Sequence, residues 1–267
     1  MSYTEYFGMK KEPFTNEILT KDLLQMPGTL GVKQRMDYLL KSGGVMAVTG
    51  DVGIGKSTSL RWSLDQYHKS ELHSIYITAA SGSSSELYKQ ICWALNLEVK
   101  SGSKVSLIKE LKNAIEEYIK QKKGKLVVII DEASLLRTDV FSELHTITQF
   151  NLDSANMFSL VLVGQNSLLD KLTYRTSAPI ASRIITRAHL TNLDREQMND
   201  YLKHHLKIAG IKANLFTENA ITAIHQGSGG LLRKANSLAR GSLLSCMIDN
   251  DNQVSDEHVR KASTELI

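Results

Sequence analysis

Apolar residues along the 267-residue chain fall into two regimes. Between residues 45 and 190, short apolar, β-branched-rich runs alternate with stretches of helical period. Val45–Thr49, Ser74–Thr78, Leu126–Ile130, Phe158–Gly164 and Ile184–Leu190 read as five strands. Leu126–Ile130, LVVII, is unbroken, as expected of a parallel strand covered on both faces. Between these runs, apolar residues recur at helical spacing: Leu60, Leu64 and Tyr67; Leu87, Ile91, Ala94 and Leu95; Ile108, Leu111, Ile115 and Ile119; Val140, Leu144 and Ile147. Leu168–Leu172 is a further short helix. The alternation predicts an α/β fold, a five-stranded parallel sheet with helices on both faces and right-handed crossovers.

From Thr191 the strands stop. Asp194 is an N-cap for a helix running to Ala209 and closed by Gly210. Thr217 caps Glu218–His225, Gly227–Gly230 interrupts the chain before Leu231–Ile248, and Ser255 caps a last helix. The expected division is an αβα domain over 1–190, with an N-terminal arm at 1–44, and an all-α lid over 191–267 hinged near Thr191–Asp194. In the arm, Tyr6-Phe7-Gly8 and Pro13-Phe14 look like aromatic plugs. Pro27-Gly28 is expected to turn before a helix at Gln34–Leu40.

Candidate chemistry concentrates after the first strand. Gly50-Asp51-Val52-Gly53-Ile54-Gly55-Lys56-Ser57, followed by Thr58, matches G-x-x-x-x-G-K-[ST], the phosphate-binding P-loop. Its glycines let the backbone turn N–H groups onto phosphate oxygens, and the following helix presents its positive end to the same anion. Lys56 is suited to the β- and γ-phosphates, and the Ser57 hydroxyl to Mg²⁺. The third strand ends in Asp131-Glu132, a Walker B pattern in which Asp131 holds the metal and Glu132 polarises the attacking water. Because Glu132 directly follows Asp131, an extra strand is expected between the P-loop strand and its neighbour. Gln165, at the tip of the fourth strand, is placed to sense a γ-phosphate. Arg233, in G-L-L-R-K-A-N, is placed to reach that phosphate from the lid. Arg183, before the fifth strand, is a candidate to act on a neighbouring subunit's site, with Arg175 and Arg187 as competitors.

Composition narrows this little. Hydrophobic residues make 42% of the chain and charged residues 22%, ordinary for a globular protein. No apolar run approaches the roughly 20 residues needed to span a bilayer, and MSYTEYFGMKKEPF lacks a signal core, so a cytoplasmic location is expected. Cys92 and Cys246 sit in apolar helical patterns and read as core thiols. A net charge of +4 permits a nucleic-acid partner without requiring one.

Together, GDVGIGKST, LVVIIDEA, LVLVGQ, the Ser182-Arg183-Ile184 step and GLLRKAN resemble an AAA+ ATPase. The start YFGMKKEPF and the VLVGQ segment resemble the ExeA-type ATPases, a group that includes general secretion pathway ATPases and transposon target-selecting ATPases similar to TnsC, TniB, MuB and IstB. The resemblance implies ATP and Mg²⁺ as cofactors, Lys56 and Ser57 as Walker A, Asp131 and Glu132 as Walker B, Gln165 as sensor 1, Arg183 as the trans finger and Arg233 as sensor 2. Leu232 stands where the family's sensor 2 usually has proline. Chains of this kind imply a homo-oligomer with ATP at subunit interfaces. That oligomer assembles as a filament on duplex DNA through sequence-independent backbone contacts. It recruits a transposase, with or without a target-selection protein, and disassembles on hydrolysis. Lys100, Ser103 and Lys104 lie in a polar loop resembling the one such ATPases turn toward DNA. The chain ends without a membrane segment, which favours this branch over the secretion ATPases. The same motifs also suit a replication initiator or helicase loader, or a scaffold that hardly hydrolyses ATP.

Overall fold

The computed structural model describes residues 2–80, 82–98, 103–122, 124–150 and 158–265. Two units are present. One comprises Pro27–Gly50 and Lys56–Leu190, the other Met1–Met26, Asp51–Gly55 and Thr191–Ile267. The chain opens with a single helical turn, α1 (Tyr3–Tyr6). There follow α2 (Pro27–Ser42), β1 (Gly44–Thr49), α3 (Lys56–Asp65), β2 (Leu72–Thr78), α4 (Ser84–Ala94), α5 (Lys104–Lys122) and β3 (Lys125–Asp131). After these come α6 (Thr138–Leu144), β4 (Ser159–Gly164), α7 (Ser167–Thr173), α8 (Ala178–Ala181) and β5 (Ile184–His189).

The five strands are parallel, in the order β2-β3-β4-β1-β5. β4 stands between β1 and β3, the inserted strand expected from the adjacency of Asp131 and Glu132. The three central strands are buried almost throughout, which is why their sequences are continuous apolar runs rather than alternating ones. In the edge strand β2, Ile75 and Ile77 are buried while Tyr76 and Thr78 are exposed. One core cluster joins Val45, Val128, Ile130, Leu160 and Leu162 to Ile91 of α4 and Leu111 and Ile115 of α5. Each fully buried aliphatic side chain of this kind stabilises the unit by about 1.5–3 kcal/mol relative to exposure.

Two local expectations change. Pro27-Gly28 does not turn the chain but opens α2. A proline in the first helical turn lacks only an N–H that would have no partner there, and its fixed φ suits the helix. The helix expected over 140–150 stops at Leu144 and tightens into a 3₁₀ turn, His145–Thr148, with Ile147 and Phe150 still buried.

In the second unit, α9 (Arg195–Ile208), α10 (Glu218–Ser228), α11 (Leu232–Ile248) and α12 (Asp256–Glu265) surround their own core. Asp194 caps α9 in a reciprocal pair with Gln197, and Gly229, at φ 60°, ends α10. Residues 1–26 differ from the expected arm of the αβα domain, because they belong to this helical unit. Phe14 is 1% exposed, stacks on His205 and meets Phe216 edge-on. The Phe14 N–H donates to His205 Nδ1 at 3.1 Å, and Lys10 N–H donates to the Ala209 carbonyl at 2.8 Å. Burial of the aromatic plug decides where the segment lies. No helix among the described residues is long and apolar enough to cross a membrane.

Candidate nucleotide-binding site

Strand register gathers the candidate residues at one end of the sheet. Thr49 is opposite Gly164 on one side and His189 on the other, Ile130 is opposite Leu162, and Thr78 is opposite Asp131. Gly50, Gln165 and Asp131-Glu132 therefore leave their strands together, the edge where open parallel sheets bind ligands.

Asp131 is the hub. It is 6% exposed, and its carboxylate accepts from the Ser57 hydroxyl at 2.8 Å, from the Glu132 N–H at 2.8 Å and from the Tyr76 hydroxyl. Lys56, 8% exposed at the first residue of α3, donates to the Gly50 carbonyl at 2.9 Å, which returns its ammonium toward the start of the loop. Glu132 turns the chain sharply after β3, at φ 53° and ψ 32°. A non-glycine residue in this left-handed region costs on the order of 1 kcal/mol or more. The turn carries the chain away from the sheet directly after the Asp131 carboxylate.

Sequence reasoning missed the contacts that fix these ends. Gln165 N–H approaches Ser134 Oγ at 3.5 Å, and Lys171 of α7 donates to the carbonyls of Ser134 and Leu136 at 2.6 and 2.7 Å. A side chain at Gly164 would come within 3.0 Å of the Ser134 N–H. The turn after Asp131-Glu132 is thus tied to the strand bearing Gln165. Tyr76 was also missed. Its place follows only once β2 is known to neighbour β3, since Tyr76 is then two residues before the partner of Asp131, on the same face. Burial, and then the Asp131 carboxylate, push the Tyr76 hydroxyl up to about 12. On β5, His189 Nδ1 meets Thr49 Oγ1 at 3.0 Å.

Loop residues Asp51–Gly55 pack within the helical unit. The Gly53 carbonyl accepts the Arg233 N–H at 3.0 Å, at the start of α11. A Cβ on Gly53 would lie 2.8 Å from Arg233 Cβ, and one on Gly55 would lie 3.0 Å from Leu232 Cδ1. These glycines are required by the neighbouring helix as well as by their positive φ of 81° and 100°. Arg233 accordingly stands against Gly53, and Leu232, where the resembled motif usually has proline, packs on Gly55.

The other arginines and the loop lysines lie elsewhere. The Val45 N–H donates to the Arg183 carbonyl at 3.0 Å, so Arg183 sits at the start of β1 and β5. There it lines, with Gly43, Gly44 and Ile185, a cavity of about 140 Å³. Arg187 is exposed midway along β5, and Arg175 is exposed in the 3₁₀ turn Arg175–Ser177. Lys104 is paired with Glu143 at 2.8 Å, which also accepts from Ser84. That pairing offsets the charge offered to a polyanion. Ser103 is exposed, and Lys100 lies outside the described residues.

The donors present fit Mg²⁺. The Ser57 hydroxyl and Asp131 carboxylate are hard oxygen ligands within 2.8 Å of each other, and Mg²⁺ completes so small a protein set with phosphates and water. Bound there, the metal supplies neutralisation of phosphate charge. Lys56 would bind the phosphates, Asp131 would orient the metal's shell, and Glu132 would accept a proton from water.

Sheet order, the P-loop after β1 and the acid pair after β3 define an AAA+ P-loop ATPase with a C-terminal helical region. The AAA domain family model matches residues 39–172, and the chain belongs to that family. General secretion pathway protein A of Aeromonas hydrophila is 27% identical over 99% of this chain and 48% of that protein. The chain thus spans about half the length of the curated relative it matches. Among solved structures, the fold is similar to Cdc6p from Pyrobaculum aerophilum, with TM-score 0.73, 19% identity and coverage of 95% and 70% of the two chains. It is also similar to the Aeropyrum pernix ORC1 protein in complex with DNA, with TM-score 0.67, 17% identity and coverage of 94% and 68%. The Thermotoga maritima RuvB Holliday junction branch migration motor follows, with TM-score 0.58, 17% identity and coverage of 89% and 69%.

Proposed function

We propose that this ATPase is a DNA-binding regulator of transposition. Copies hold ATP·Mg²⁺ at their interfaces, assemble on duplex DNA, recruit or activate a transposase, and separate on hydrolysis. The observation that carries the assembly is the place of Arg183. Its carbonyl accepts the Val45 N–H, one residue before Ile184, the register partner of Val45, and Val45 is five residues before Gly50. At about 3.3 Å per residue that is roughly 16 Å, beyond the reach of one arginine side chain toward its own phosphate-binding edge. Arg183 serves hydrolysis only by reaching a neighbour's triphosphate, where such an arginine is worth roughly 10³–10⁵ in rate. Within the site, Lys56 and Gly50–Thr58 hold the phosphates, Ser57 and Asp131 the metal, Glu132 the attacking water, and Gln165 and Arg233 sense the γ-phosphate.

The DNA partner is supported by the likeness to ORC1, solved in complex with DNA, and to RuvB. The transposase is supported by the motif resemblance alone. A second reading, an ATPase of secretion or envelope assembly, is favoured by the likeness to general secretion pathway protein A.

Two experiments test this. Arg183→Ala and Lys56→Ala are each expected to lack ATPase activity, and a mixture of the two is expected to regain part of it, because one copy keeps the site and the other the finger. No recovery on mixing refutes the shared site. Electron microscopy with duplex DNA and a non-hydrolysable ATP analogue is expected to reveal filaments or rings, retained by Glu132→Gln without the analogue. Absence of DNA association at low salt excludes the transposition reading and leaves the envelope one.

A further inference from the structure

The Tyr76 hydroxyl bonds to the carboxylate of Asp131 from a neighbouring strand, although the residue is an exposed one on an edge strand. Tyr76 is opposite Ile129, and Thr78 is opposite Asp131. Side chains two apart share a face, so the phenol extends along the strand to Asp131 Oδ2. The same oxygen accepts from Ser57, and Oδ1 accepts from the Glu132 N–H. Three donors from three segments (α3, β2 and the backbone after β3) therefore fix both oxygens of one buried carboxylate. The ring itself is 52% exposed, and its hydroxyl makes the directed contact.

Donors behind a carboxylate that orders a metal shell determine where its remaining lone pairs point, and removing one such partner typically costs 10–100-fold in metal affinity or activity. We propose that Tyr76 is a positioning residue of the magnesium–nucleotide site, holding Asp131 in the orientation that retains Mg²⁺ beside Ser57. This rests on the reading of Ser57 and Asp131 as the metal's protein partners. The Tyr76 hydroxyl acts on Asp131 and on the Ser57 side chain, the two groups assigned to the metal.

Tyr76→Phe keeps the ring and deletes the donor. Binding of a fluorescent ADP analogue to the full chain is followed while Mg²⁺ is titrated, and again with the metal chelated. For Tyr76→Phe, the Mg²⁺ midpoint is expected to rise by about 10-fold, with metal-free nucleotide affinity and the unfolding midpoint of the nucleotide-free protein unchanged. Asp131→Asn is the companion measurement and is expected to raise the Mg²⁺ midpoint further. If Asp131→Asn raises it and Tyr76→Phe does not, the role of Tyr76 is refuted while the site reading stands. If neither raises it, the site reading fails. An equal loss of affinity with and without Mg²⁺ in Tyr76→Phe also overturns the proposal, since it marks general damage to the fold.

Discussion

Replacing Gly53 by alanine tests whether the P-loop is shaped by α11 as well as by its phosphate ligand. Two costs add. At φ 81° the backbone is in a region that L side chains rarely adopt, a penalty of about 1–2 kcal/mol. The new Cβ would also stand 2.8 Å from Arg233 Cβ, well inside the roughly 3.5–4.0 Å at which carbons attract. Neither atom is the free end of a flexible chain, so the start of α11 must shift, and overpacking of this sort costs about 1–3 kcal/mol. Gly229→Ala supplies the control, since its φ is 60° and its Cβ would meet nothing within 4 Å. Urea unfolding of the nucleotide-free variants is expected to place Gly53→Ala about 1–3 kcal/mol below Gly229→Ala, with unchanged slopes. Adding Arg233→Gly to Gly53→Ala removes the colliding atom, so a double-mutant cycle is expected to return most of that difference as coupling. Equal stabilities for the two single variants, or a cycle with no coupling, would refute the packing argument.

Three further outcomes follow from the geometry. Glu132→Gln is expected to retain ATP binding while phosphate release falls by roughly 10²–10⁴; hydrolysis at the normal rate removes Glu132 from the role of base. Lys171→Met strips the Ser134 and Leu136 carbonyls of a shared donor, and should lower stability by about 1–3 kcal/mol in urea titrations. Burial, with the neighbouring His204 adding to it, holds the His205 imidazole down at about 4, below its ordinary 6.5. The unfolded chain therefore binds the proton first as pH falls. Stability from this residue is complete above about pH 6.5 and is lost toward pH 4, by about 3 kcal/mol, in thermal melts that His205→Gln should flatten.

Most of the sheet was legible because β1, β3 and β4 are covered on both faces, and short β-branched apolar runs such as Leu126–Ile130 suit that placement. The P-loop and Asp131-Glu132 were legible because phosphate and metal chemistry fix residue types at fixed spacing. What escaped depends on which strands are neighbours. Tyr76 looks like any strand aromatic until β2 lies beside β3, and Lys171 like any helix lysine until the turn after Glu132 passes beneath it. Lys104 reads as available for DNA until Glu143, 39 residues away, is placed against it. The aromatic plugs announced burial but not the surface that buries them. Phe14 finds His205 across 191 positions of sequence.

That last contact bears on how the chain reaches its fold. The helical unit is assembled chiefly from two segments far apart in sequence, Met1–Met26 and Thr191–Ile267, with the whole of β1 to β5 between them. During synthesis the sheet has all its strands before α9 exists, whereas Phe14 leaves the ribosome early and waits for Phe216. At 5–20 residues per second that wait is roughly 10–40 s. Loop-closure entropy grows only logarithmically, about 0.6 kcal/mol per doubling, so the long insertion adds little to the equilibrium cost. Its cost is temporal: an aromatic segment stays uncovered on the nascent chain until the α9–α12 helices arrive to bury it.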